Sequence, residues 1–166
     1  REHHQGIARF ISTDFGKTWS APTNLAESIY SQFDNSKRGP IRSMFIGSGK
    51  IHQSRYTKVG SHYRLYCAAL VRDVNATMCN YVLYSDDFGA NWKVLGGTDI
   101  APIPSGADEP KAEELPDGSV VISSRCNGGR YYNIYSFTSA KKAEGSWGTV
   151  AFSGKNNNGV TAEGNS

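Results

Sequence analysis

Two residues in the second half of the chain are of types that do chemistry. Glu109 stands near the start of the stretch Asp108-Glu109-Pro110-Lys111-Ala112-Glu113-Glu114, and Arg125 ends the run Ser123-Ser124-Arg125, 16 positions further on. A carboxylate placed against a reacting group takes or returns a proton. A guanidinium grips an anionic carboxylate through two charge-assisted hydrogen bonds, a geometry that lysine cannot reproduce. Taken singly, a glutamate at the start of a strand and an arginine at the end of one are most often solvated surface groups. Their roles therefore depend on the elements that carry them. Glu113 and Glu114 lie closer to Arg125 in sequence, and Arg130 competes with it as a second guanidinium. Cys67, Cys79 and Cys126 have no CxxC or zinc-ligand spacing, so neither a metal nor another cofactor is expected, and all three read as small buried apolar residues.

The elements around these residues are short strands. Segments 7–11, 41–46, 63–71, 80–85, 120–124 and 131–137 are rich in β-branched or aromatic residues and bounded by Gly, Pro, Asn, Asp or Ser. Asp117-Gly118 predicts a two-residue hairpin turn. Helix is confined to Leu25, Ile29 and Phe33, whose spacing after Pro22 supports two turns. The 166 residues are 38% hydrophobic and 20% charged, too apolar for a disordered chain. No apolar run approaches the roughly 20 residues of a membrane helix, so no membrane span is expected. A net charge of +3 is too small to argue nucleic-acid binding. The chain reads as all-β.

A repeat orders these strands. Ser12-Thr13-Asp14-Phe15-Gly16-Lys17-Thr18-Trp19 recurs as Ser85-Asp86-Asp87-Phe88-Gly89-Ala90-Asn91-Trp92, sharing the frame S-x-D-F-G-x-[TN]-W. A degenerate echo ends at Gly145-Ser146-Trp147. The chemistry suits a tight hairpin: Asp accepts hydrogen bonds from the turn, Gly takes an unfavourable φ, and Trp packs alongside. Asp14 and Asp87 are therefore expected to shape turns rather than to react.

This frame resembles the Asp-box of the sialidase superfamily, where it closes the outer hairpin of a propeller blade. The Glu109-to-Arg125 stretch, with Glu114-Leu115-Pro116-Asp117-Gly118 between, resembles the bacterial exo-α-sialidases, as does Phe45-Ile46-Gly47-Ser48-Gly49-Lys50-Ile51. The resemblance implies an all-β partial six-bladed propeller of about two and a half to three blades. The chain, 1–166, would be a fragment of the catalytic domain, with blade ends near 12–19, 85–92 and 139–147. It also implies the removal of terminal α-linked sialic acid from glycoconjugates with retention. The carboxylate beside the attacked carbon repels a carboxylate nucleophile, and sialidases use a tyrosine instead. A phenol with a pKa near 10 needs a base, the role implied for Glu109. Arg125 would clamp the substrate carboxylate, with Arg130 as the weaker match, and Gln53 would hydrogen-bond a sugar hydroxyl.

The family's set is incomplete in this chain. The only Ile-Pro pair, Ile103-Pro104, follows Pro102 rather than an arginine, and the acid/base aspartate has no counterpart. The nucleophilic tyrosine and a further clamp arginine are expected beyond the chain. The remainder of the propeller is thus expected from the same, longer polypeptide, and the 166 residues alone are expected to be inactive. The implied partners are sialylated glycans, and the implied location is secreted, periplasmic or on a bacterial cell surface. A non-catalytic Asp-box module that binds glycan or protein is the alternative.

Overall fold

Within each sheet a strand pairs with one next to it or next but one in the chain, as short apolar runs separated by tight turns do. The computed structural model describes residues 4–154; the Asn-rich segment 156–159 lies outside the described residues. Among the described residues there is one two-stranded ribbon and two five-stranded sheets. The ribbon joins β1 (Ala8–Arg9) to β2 (Thr23–Asn24). Helix α1 (Ala26–Tyr30) and a 3-10 turn (Ser31–Phe33) follow, and Leu25, Ile29 and Phe33 are all buried as their spacing predicts.

In the first sheet β3 (Ile41–Ile46) and β4 (His52–Val59) lie end to end along one edge of β5 (His62–Asp73). Then come β6 (Met78–Ser85) and β7 (Lys93–Val94). The second sheet runs β8 (Ala107–Glu114), β9 (Val120–Cys126) and β10 (Gly129–Ser139). Both β11 (Glu144–Trp147) and β12 (Ala151–Ser153) pair with β10. Two cores result. One packs α1 on the first sheet through Ile29, Phe33, Met44, Tyr81 and Leu83. The other joins the two sheets through Tyr66, Val82, Leu95, Ile122 and Tyr135.

The second core fixes the direction of every β9 side chain. Val120, Ile122, Ser124 and Cys126 are buried, while Val121, Ser123 and Arg125 between them are only partly so. Because side chains alternate along a strand, Arg125 lies on the opposite face from Ile122. The three cysteines are free and buried. No helix among the described residues is long and apolar enough to cross a membrane.

Three expectations need correction. Segment 7–11 pairs only over Ala8–Arg9. The strand His52–Val59 falls outside the apolar bursts, because its residues are mostly polar and half of them are exposed. The Asp117-Gly118 turn holds three loop residues rather than two: Leu115 N–H donates to Ser119 C=O at 2.8 Å, and Gly118 N–H to Leu115 C=O at 2.9 Å. Gly118 alone takes positive φ (84°), and Asp117 instead accepts from Ser119 N–H at 2.9 Å.

The two boxes share one set of Ser–Asp–Gly hydrogen bonds. Ser12 Oγ donates to Asp14 Oδ1 and accepts from Gly16 N–H, both at 2.8 Å. Thr18 N–H and Oγ1 donate to the two oxygens of Asp14 at 2.9 and 2.6 Å. Ser85, Asp87, Gly89 and Asn91 repeat this pattern at the same four lengths. Trp92 is buried and donates to Gly89 C=O at 3.1 Å, whereas Trp19 is exposed. Both aspartate carboxyls are thus committed to their own loops, which holds them below the usual carboxylate range. Asp14 sits at about 2.

Candidate functional site

The site begins with a proline in a strand. Pro110 has no N–H to offer the β8–β9 ladder, and a proline inside a sheet is accommodated at an edge or a bulge. Here it is a bulge. Asp108 pairs with Arg125, but Pro110 pairs with Ser124, so two steps along β8 match one along β9 and Glu109 is the extra residue. Its N–H, out of the ladder, donates to Asp108 Oδ1 at 2.9 Å.

The bulge brings Glu109 to Arg125. Arg125 Nη1 lies 3.3 Å from Glu109 Oε2, with the side chains 35% and 47% exposed. An ion pair this open to solvent adds little stability. What it provides is a carboxylate and a guanidinium side by side, both reachable by a solute. Arg130 is the cross-strand partner of Arg125, but its Nε donates to Ser123 Oγ at 2.7 Å and its Nη2 to Ser123 C=O at 3.2 Å. It is adjacent to the pair and engaged elsewhere.

Gln53 is not brought to the pair. Its neighbours His52 and Ser54 bind the far end of β8, where His52 Nδ1 is 2.6 Å from Glu113 Oε1 and Ser54 Oγ donates to Glu114 Oε1 at 2.6 Å. At about 3.3 Å per residue, those carboxylates are well over 10 Å along the strand from Glu109. Glu114 is buried and also accepts from Arg55 N–H at 2.7 Å, which makes it a strut between β4 and β8.

Between β3 and β4 the chain leaves β5 and arches over β8. This segment, 47–51, forms a cleft of about 330 Å³ with Pro110, Lys111, Ala112, Glu113, Val121 and Ser123. Its first residue, Gly47, lies so close to β8 that a Cβ would land on the Pro110 carbonyl oxygen. Sequence reasoning passed over both Gly47 and Asp108 as site residues. The signal available was the Glu109-Pro110 dipeptide, which demands a break in the ladder. Among the described residues no group of three His, Cys, Asp or Glu side chains is placed to hold a metal ion.

The BNR/Asp-box repeat family matches residues 10–21, the first box. A sialidase from Micromonospora viridifaciens is 33% identical over 123 residues, which is 74% of this chain and 16% of that protein. Among solved structures, the Hadza microbial sialidase Hz136 superimposes with a TM-score of 0.63 at 19% identity, covering 86% of this chain and 24% of that one. The Trypanosoma rangeli sialidase in complex with sialic acid gives 0.55 at 21% identity, covering 90% and 21%. The fold is therefore part of an Asp-box β-propeller of the sialidase kind. Within that class the chain is a relative of the bacterial sialidases, and it spans about a sixth of the curated relative that it matches.

Proposed function

We propose that this chain is the central part of an exo-α-sialidase that releases terminal sialic acid from glycoconjugates with retention. The observation that carries the reading is the Glu109–Arg125 contact, presented by a bulge at the rim of the sheet. In this reading each sheet is one blade, and the ribbon with the first box belongs to a third. The rest of the propeller, with the nucleophilic tyrosine, belongs to the same longer polypeptide. Glu109 takes the phenolic proton as the tyrosine oxygen attacks the anomeric carbon, and the aglycone oxygen leaves from the opposite face with a proton from the acid/base aspartate elsewhere in the polypeptide. Water then attacks the glycosyl-tyrosine from the face that the aglycone left, giving its proton to that aspartate, and the phenol recovers its proton from Glu109. Arg125 turns from Glu109 to the substrate carboxylate, which it binds through two N–H donors. Such an enzyme acts outside the cell, on sialylated glycoproteins, glycolipids or oligosaccharides.

The test is turnover of a fluorogenic sialoside by the complete polypeptide and by its Glu109→Gln variant. The expected loss in kcat is about 100-fold or more, in line with removal of a positioned base. The 166-residue chain alone should show no turnover. Wild-type rates for Glu109→Gln, or no hydrolysis by the complete protein together with tight glycan binding, would replace this reading with the binding module.

A further inference from the structure

We infer that Asp108 and Gly47 are positioning residues for Glu109: the first ties down the bulged backbone, and the second lets the arch of residues 47–51 close on the strand behind it. The inference rests on the role proposed above for Glu109.

The reasoning starts from what a bulge lacks. An extra residue in a ladder is held by fewer hydrogen bonds than its neighbours, so its side chain wanders unless another group replaces the missing contact. Pro110 removes one more donor at the same place. Two features replace what is lost. Asp108 Oδ1 accepts the Glu109 N–H at 2.9 Å. Asp108 is also the cross-strand partner of Arg125, so the residue that anchors the bulge is in register with the guanidinium that Glu109 meets. On the other side of Glu109, Pro110 is buried and its carbonyl lies against Gly47. Gly47 is itself held by its N–H, which donates to Ala68 C=O of β5 at 2.8 Å. The arch therefore stands on the first sheet and closes on the second. Only a residue without a Cβ fits there, because the atoms in the way are backbone and cannot rotate aside.

Glu109 thus depends on backbone held from both sides, one residue before it and one after. Geometry of this kind governs rate steeply, since a misplacement of about 1 Å costs on the order of 100-fold.

The experiment uses the complete polypeptide with Asp108→Ala, Asp108→Asn, Glu109→Gln, the double variant Asp108→Ala/Glu109→Gln, and Gly47→Ala. Asp108→Ala should lower kcat by about 10-fold or more with a small change in KM. Asp108→Asn should restore it to within about threefold, because the amide oxygen accepts the same N–H. In the Glu109→Gln background, Asp108→Ala should change kcat by less than about twofold, since a positioning residue has nothing left to position. Gly47→Ala should lower kcat in the same sense. Equal losses in both backgrounds, or an Asp108→Asn variant as damaged as Asp108→Ala, would overturn the inference.

A second readout does not depend on turnover. Hydrogen exchange at the Glu109 amide should be about 10-fold faster in Asp108→Ala and unchanged in Asp108→Asn. If Glu109→Gln turns over like the wild type, the proposed function fails, and this exchange then judges the anchoring by itself. Equal exchange in the wild type and Asp108→Ala overturns the anchoring.

Discussion

Arg125 and Arg130 face one another directly across β9 and β10, yet their guanidinium groups serve different partners. Like charges placed opposite in a sheet repel. Here Arg130 folds back onto Ser123, by side chain and carbonyl, while Arg125 extends to Glu109. The contrast separates a guanidinium committed to the sheet from one open to a ligand.

The two arginines should therefore respond differently to removal. In the complete polypeptide, Arg125→Ala should lower kcat/KM for a sialoside by about 10- to 100-fold, the worth of charge-assisted hydrogen bonds. Arg130→Ala should change it by less than about threefold and cost about 1 kcal/mol of stability instead. Steady-state kinetics and urea unfolding of both variants check this.

Arg64 is a second test of commitment, this time in the core. Its side chain is fully buried, with Nε 2.6 Å from Asp86 Oδ1 and Nη2 2.9 Å from Oδ2. Removing the carboxylate leaves a buried charge without its counterion, so Asp86→Ala should destabilise by about 3 kcal/mol. Arg64→Met/Asp86→Ala should recover part of that loss. Denaturant midpoints of the two variants decide it.

The first box has a pH signature. Thr18 lowers the Asp14 carboxyl most, through its hydroxyl and then its N–H, with Ser12 next, to about 2. Because the folded value lies below the unfolded one, this contribution to stability is complete above about pH 4. It is lost as the pH falls toward 2. Thr18→Val should move the Asp14 titration upward, which carboxyl chemical shifts followed by NMR would reveal. An unmoved titration would assign the effect to other groups.

The thiols should be silent in the folded state. Burial pushes Cys67 up to about 12 and Cys79 to about 11, so neither offers a thiolate at neutral pH. Ellman's reagent should label neither of them until denaturant is added. Prompt labelling of Cys67 in the native protein would contradict its burial.

How much of this was readable from residues alone follows from the range of the forces involved. The boxes were legible because every bond that shapes Asp14 or Asp87 comes from within four positions in the chain. Helix α1 was legible because Leu25, Ile29 and Phe33 repeat at its period. Strand His52–Val59 was not, since its middle leaves the β5 ladder between Gln53 and Lys58 and is held by Glu114, about 60 residues away, which accepts from Ser54 and Arg55. At the site, the resemblance pointed to Glu109 and Arg125, 16 positions apart, but a position in a loop match says nothing about which end of β8 the strand carrying Gln53 meets. Nothing near Arg64 in sequence marks it as buried, since the turn that covers it lies 76 positions away.

That covering turn has a consequence for how the chain opens. Arg64 belongs to the first sheet, and besides Asp86 it donates to the Ala140 and Lys141 carbonyls, at 2.6 and 3.1 Å, in the turn after β10 of the second. The second box thus holds, through the neighbour of its central aspartate, a charge that the other sheet must cap. Peeling the 140–143 turn away strips a buried cation of two acceptors, so the two sheets are expected to unfold as one cooperative unit rather than in sequence.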